Sequence, residues 1–121
     1  MSNGQFDKLA QRWRDERVHR KALSRRLRSR LLNCGGSVFQ KYGVRRVWLF
    51  GSVSQECALV DSDVDVLVSP LSAEDYWPLR RELEAVVGHP IDLYTQDDDD
   101  VFVRKVMVRG ELIYDVQPGT A

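Results

Sequence analysis

A chain of 121 residues and 14.0 kDa, 43% hydrophobic and 30% charged, has the size and composition of one globular domain, which excludes wholesale disorder and leaves no room for a second domain. The net charge of zero hides a split: residues 1–46 carry 13 of the 18 Lys and Arg but only Asp7, Asp15 and Glu16 among the acids, so that segment stands at +10 and the remainder at −10. A charged first twenty residues and short apolar runs exclude a secretory segment and a membrane span, so a cytoplasmic protein is expected.

In chain order, Phe6, Leu9, Ala10 and Trp13 follow i, i+3, i+4, i+7 spacing, which predicts a helix over 5–18 with one apolar stripe. The stripe fades into charge and resumes as Leu23, Leu27, Leu31, Cys34, Val38 and Tyr42. That phase runs through Gly35 and Gly36 and predicts a single helix there, although each interior glycine weakens it by about 1 kcal/mol relative to alanine. Gly43 is suited to close it. Val44 to Phe50 reads as a buried strand ended by Gly51-Ser52, and Asp63 to Val68 as a second, stopped by Pro70. Ser72 with Asp75 forms a capping pattern before Leu79, Leu83, Val86 and Val87, a helix that Gly88 closes. Ile91 to Thr95 is a third strand, Asp97 to Asp100 supply charge suited to the start of a helix reaching about Arg109, and Glu111 to Val116 is a last short strand. The order α, α, β, β, α, β, α, β predicts an α/β (α+β) fold in which helices cover a small mixed sheet.

The chemistry concentrates in Gly51-Ser52, ten residues, then Asp63-Val64-Asp65. Alternate residues of a strand share a face, so Asp63 and Asp65 are aimed at one point while Val64, Val66 and Val68 enter the core. Like charges there repel, and aspartate is depleted in strands, so folding alone does not ask for them. A hard divalent cation such as Mg²⁺ answers the problem, because it is held by one or two carboxylates plus substrate phosphates. Asp92, between Ile91 and Leu93, adds a third carboxylate if its strand pairs with the second, and acids around two metal ions suit in-line transfer at phosphorus. Gly51 lets backbone approach a phosphate, and the Ser52 hydroxyl adds a donor. Each piece alone has a plainer reading: a solvated strand face, a hydrogen-bonded strand-end carboxylate, a capped turn.

Taken together, Leu49-Phe50-Gly51-Ser52, the spacing and Asp63-Val64-Asp65 resemble the nucleotidyltransferase domains of the DNA polymerase β superfamily, and more closely the minimal nucleotidyltransferases (MNT), antitoxins of HEPN/MNT toxin–antitoxin pairs. The resemblance covers about residues 22–116. It implies a nucleotidyltransferase fold for a domain over 21–121, to which the chain adds an N-terminal helix, a basic extension over 1–20 that lies outside the resemblance. It also implies that Gly51 and Ser52 hold the β- and γ-phosphates of ATP, that Asp63, Asp65 and Asp92 bind Mg²⁺, two ions in all, and that Asp92 helps deprotonate the attacking hydroxyl. The acceptor would be a tyrosine of a HEPN ribonuclease toxin, which AMP transfer silences. The family usually shows a small residue, Arg and Gly after Gly-Ser, where this chain has Ser54, Gln55 and Glu56. A cation near the phosphates is thereby lost and an acid gained, which keeps open a second reading, an antitoxin that neutralises its partner by contact alone.

Arg14, Arg17, Lys21, Arg25 and Arg28 form a basic stripe, either a phosphate-neutralising nucleic-acid surface or a solvated or protein-facing helix; without interleaved aromatics the latter is expected. The split in charge also permits two copies to associate. Cys34 and Cys57, with no metal-ligand spacing, read as small buried thiols; Trp13, Trp48 and Trp77 as core or interface anchors; His19 and His89 as surface or loop residues.

Overall fold

The computed structural model describes residues 4–117, with the side chains of 4–6 also outside the described set, so the expected packing of Phe6 lies outside it. Helix α1 spans Gly4–Cys34 and α2 Gly36–Lys41; strand β1 (Arg46–Phe50) leads into a one-turn helix α3 (Gly51–Ser54); β2 is Val64–Ser69, α4 Tyr76–Val87, β3 Ile91–Thr95, α5 Asp100–Arg109 and β4 Glu111–Asp115.

The sequence predicts two N-terminal helices parted by the charged stretch near residue 20, with an unbroken second one; the structure puts the break at Gly35 instead. Arg, Lys, Glu and Ala are good helix formers, and i,i+4 contacts such as Glu16 with Arg20 at 3.9 Å hold the charged stretch helical without an apolar face. At Gly35 a Cβ would stand 2.5 Å from the Leu31 carbonyl and 3.1 Å from the Phe39 ring, so the bend admits only glycine and lets Phe39 fold down over it. The buried line runs Leu27, Leu31, Val38 as expected and adds Phe39, while Cys34 lies outside it. Cys34 and Cys57 are both exposed rather than buried.

The sheet has the order β3-β2-β1-β4. β1 is antiparallel to β2 and β4, while β2 and β3 run parallel through α4, giving the expected mixed sheet. Its period-two pattern feeds two cores. Val47, Leu49, Val64, Val66, Val68, Ile91 and Leu93 face α1, α2 and α4. The opposite face buries Trp48 and Leu67 under Val103 and Val106 of α5, so the second strand is apolar on both sides beyond Asp65. Gly88 caps α4 in the left-handed conformation, φ 73°, and Asp99 caps α5 by accepting from the Phe102 amide at 3.1 Å. Of the three tryptophans only Trp48 is core; Trp13 and Trp77 stay 59% and 60% exposed. Val86, expected inside α4, is 38% exposed. Among the described residues no helix is long and apolar enough to cross a membrane.

Candidate active site

The site assembles where the end of β1 meets the beginnings of β2 and β3. β2 and β3 pair with Asp65 opposite Asp92, and Phe50, the last residue of β1, lies opposite Asp65 on the other side. Both carboxylates therefore rise from adjacent strands on the face that α5 covers only in part. Asp63 stands one residue ahead of β2 and is exposed; it reaches the pair through its charge rather than from the strand.

Gly51 turns the chain from β1 into α3 at φ 74°, and a Cβ there would overlap the Asp65 carboxylate. The glycine is required twice: for its left-handed backbone and for the approach of that side chain. Ser52 follows, partly buried, on the first turn of α3.

Partial burial first, then the charge of Asp92 and Asp63 and contact with Asp92, push the Asp65 carboxyl up to about 6. Among the described residues no Lys, Arg or His forms an ion pair with Asp63, Asp65 or Asp92. Nor do three His, Cys, Asp or Glu groups among them converge tightly enough to be a ready-made metal cage. The donor set is nonetheless what a hard, water-retaining cation takes: two carboxylates in register, a third within electrostatic reach, and no protein cation to balance them.

One group on this face went unnoticed in the sequence. Tyr94, two residues beyond Asp92 and hence on the same side of β3, donates its hydroxyl to Asp92 Oδ2 at 2.7 Å. That bond, then burial, raises the phenol above its usual range, so it is a standing donor. The signal was present as the period-two spacing from Asp92.

The divergent loop after Gly-Ser proves to be tied down. Glu56 adopts φ 60°, the left-handed conformation natural to the glycine that the family resemblance places there. Its carboxylate lies 3.7 Å from both Lys21 Nζ and Arg25 Nε of α1, so the acid is turned to that helix. Fully buried Ser24 completes the link, accepting from the Ala58 amide at 2.9 Å and donating to the Arg20 carbonyl at 2.7 Å. Ser24→Ala leaves a buried amide without its acceptor, and a urea melt should show a loss of about 1–3 kcal/mol; an unchanged midpoint would mean the loop is not held this way. Arg28 is engaged too, with Glu111 of β4. Three of the five cations of the expected basic stripe are thus occupied within the chain, which favours the solvated or protein-facing reading over the nucleic-acid one. His89, as expected a loop residue, contacts the Ser62 carbonyl at 2.5 Å.

Comparison with known proteins gives the same picture of the fold. One similar structure is a toxin–antitoxin solved with AMP-PNP, at 23% identity over 71% of this chain and 74% of that one, TM-score 0.62. A protein described as a minimal nucleotidyltransferase matches at 26% identity over 75% of this chain and 92% of its own, TM-score 0.57. A tri-AMPylated HEPN toxin from Shewanella oneidensis in complex with MNT antitoxin matches at 19% identity over 80% and 74%, TM-score 0.53. No curated protein matches the sequence. The family described as Polymerase beta, Nucleotidyltransferase matches residues 36–118, which span β1 with its Gly-Ser turn and all three aspartates, and the chain belongs to that nucleotidyltransferase family.

Proposed function

We propose that this chain is the antitoxin of a HEPN/MNT pair: a Mg²⁺-dependent nucleotidyltransferase of the cytoplasm that moves AMP from ATP to a tyrosine hydroxyl of its HEPN toxin. The observation that carries the reading is Asp65 opposite Asp92 beside Gly51, an acidic pair with no protein cation to balance it. The fold likeness to a toxin–antitoxin solved with AMP-PNP and to an MNT antitoxin with its tri-AMPylated toxin supports it.

In this reading the Gly51 backbone approaches the β- and γ-phosphates, with the Ser52 hydroxyl as a further donor. Asp63, Asp65 and Asp92 hold Mg²⁺, which when bound neutralises phosphate charge and stabilises the leaving pyrophosphate. Asp92 takes the proton of the attacking hydroxyl. Most of the rate enhancement comes from positioning and preorganised charge. The acceptor hydroxyl arrives on the partner.

A second reading is favoured by the loop at Ser54-Gln55-Glu56, which lacks the expected arginine: neutralisation by contact, without transfer. The test is to purify the chain with whatever associates in its host, add Mg²⁺ and ATP labelled at the α-phosphate, and follow label onto protein, with Asp65→Asn alongside. Label on a co-purifying protein that vanishes in the variant is expected. A partner retained but unlabelled with both forms would establish the contact reading instead.

A further inference from the structure

We infer that Tyr94 is a positioning residue for Asp92, an inference that rests on the placement of Asp92 in the site proposed above. An aspartate part-exposed on a strand has a broad, roughly two-fold terminal torsion, and Asp92 also faces Asp65 across the parallel pairing. Left alone, repulsion would turn its carboxylate outward. Tyr94 opposes that turn by donating to Oδ2 at 2.7 Å, a hydrogen bond to a charged acceptor and therefore among the stronger kind.

What makes the tyrosine a fixed strut is its ring. Its centroid lies 5.4 Å from that of Phe50 and 4.9 Å from that of Phe102, both tilted, and Phe50 and Phe102 close the triangle at 5.7 Å. Such tilted and edge contacts are favourable geometries for aromatic pairs. Phe50 is also the residue immediately before Gly51, and Phe102 belongs to the first turn of the capped helix α5. One aromatic cluster thereby joins the Gly-Ser turn, the third carboxylate and the covering helix. With Oδ2 engaged by the hydroxyl, the carboxylate plane of Asp92 is held in one orientation toward a ligand shared with Asp65. Partners that orient a ligating group typically matter 10- to 100-fold in metal affinity or activity.

Tyr94→Phe removes the hydroxyl and keeps the ring. Manganese binding to the full chain, followed by electron paramagnetic resonance without nucleotide, should weaken about 10-fold or more. Transfer of labelled AMP in the complex should lose a similar factor in kcat at unchanged KM for ATP, with the thermal midpoint held to within about 2 °C. Equal manganese affinity in wild type and variant would overturn the inference while leaving the proposed function standing. Wild type that neither binds manganese nor transfers label would overturn both. AMP found on Tyr94 itself would also overturn it, since the hydroxyl would then be an acceptor and not a strut.

Discussion

Asp65→Asn is expected to abolish nucleotide transfer and at the same time make the protein more stable. Loss of transfer by at least 10³-fold follows if this carboxylate neutralises charge at the reacting phosphate, the scale seen when one preorganised electrostatic group is removed. The stability gain follows from the raised carboxyl. Its ordinary value is 3.8 and its folded value about 6, so between those limits the folded chain keeps a proton that the unfolded chain has released. Stability therefore falls as the pH rises through that window, and the penalty is complete above it. The shift would correspond to about 1.4 kcal/mol per unit in full; because Asp65 is still partly open to water, about 1–2 kcal/mol is the expected gain for Asn at pH 8. A 121-residue chain should then melt roughly 3–8 °C higher than wild type with chelator present, and the gap should close near pH 4. Addition of Mg²⁺ should raise the wild-type midpoint more than that of the variant, by mass action on a site weakened when one of its three carboxylates is lost. A variant that melts lower than wild type at pH 8 would contradict the unbalanced acidic pair.

Gly51→Ala should destabilise the protein by about 2–4 kcal/mol and abolish transfer. Two costs combine. The left-handed φ of 74° is worth about 1–2 kcal/mol for a residue with a Cβ, and the new methyl would overlap the Asp65 carboxylate, which must then leave its place. Gly43 supplies the control. It shares a positive φ of 70°, but a Cβ there meets nothing within 4 Å. Gly43→Ala should therefore show the backbone cost alone, about 1–2 kcal/mol, with transfer intact, and the difference between the two urea midpoints measures the crowding at the site. Equal losses in the two variants, or an active Gly51→Ala, would mean that Asp65 does not depend on the space this glycine leaves.

Much of the fold was legible because its signals are local. β3 occurs at Ile91–Thr95 as its β-branched and aromatic run predicts, Gly88 ends its helix as expected, and the mixed sheet follows from the element order. The N-terminal helices were misjudged for a physical reason: apolar periodicity reports which side of a helix is buried, not whether it is continuous. The charged stretch near residue 20 needs no buried face to stay helical, while Gly35 breaks a stripe whose phase survives the bend. Cys34 is exposed rather than buried because a one-residue offset on a helix moves a side chain from core to solvent, and nothing in the spacing distinguishes it from the glycine beside it; Cys57 is exposed in the loop after α3.

By itself the sequence determined which residues can do chemistry: a glycine-serine turn after an apolar strand, and aspartates at positions where folding alone would not place them. Only the tertiary structure decided which of these meet. Strand register set Asp65 against Asp92 and left Asp63 at the strand's mouth; the aromatic triangle turned Tyr94 toward Asp92; and α1 drew Glu56 to Lys21 and Arg25. Each of these is a contact between residues from separate elements, or depends on one. Such contacts are set by burial and register across the whole sheet, which a pattern of neighbours along the chain does not encode.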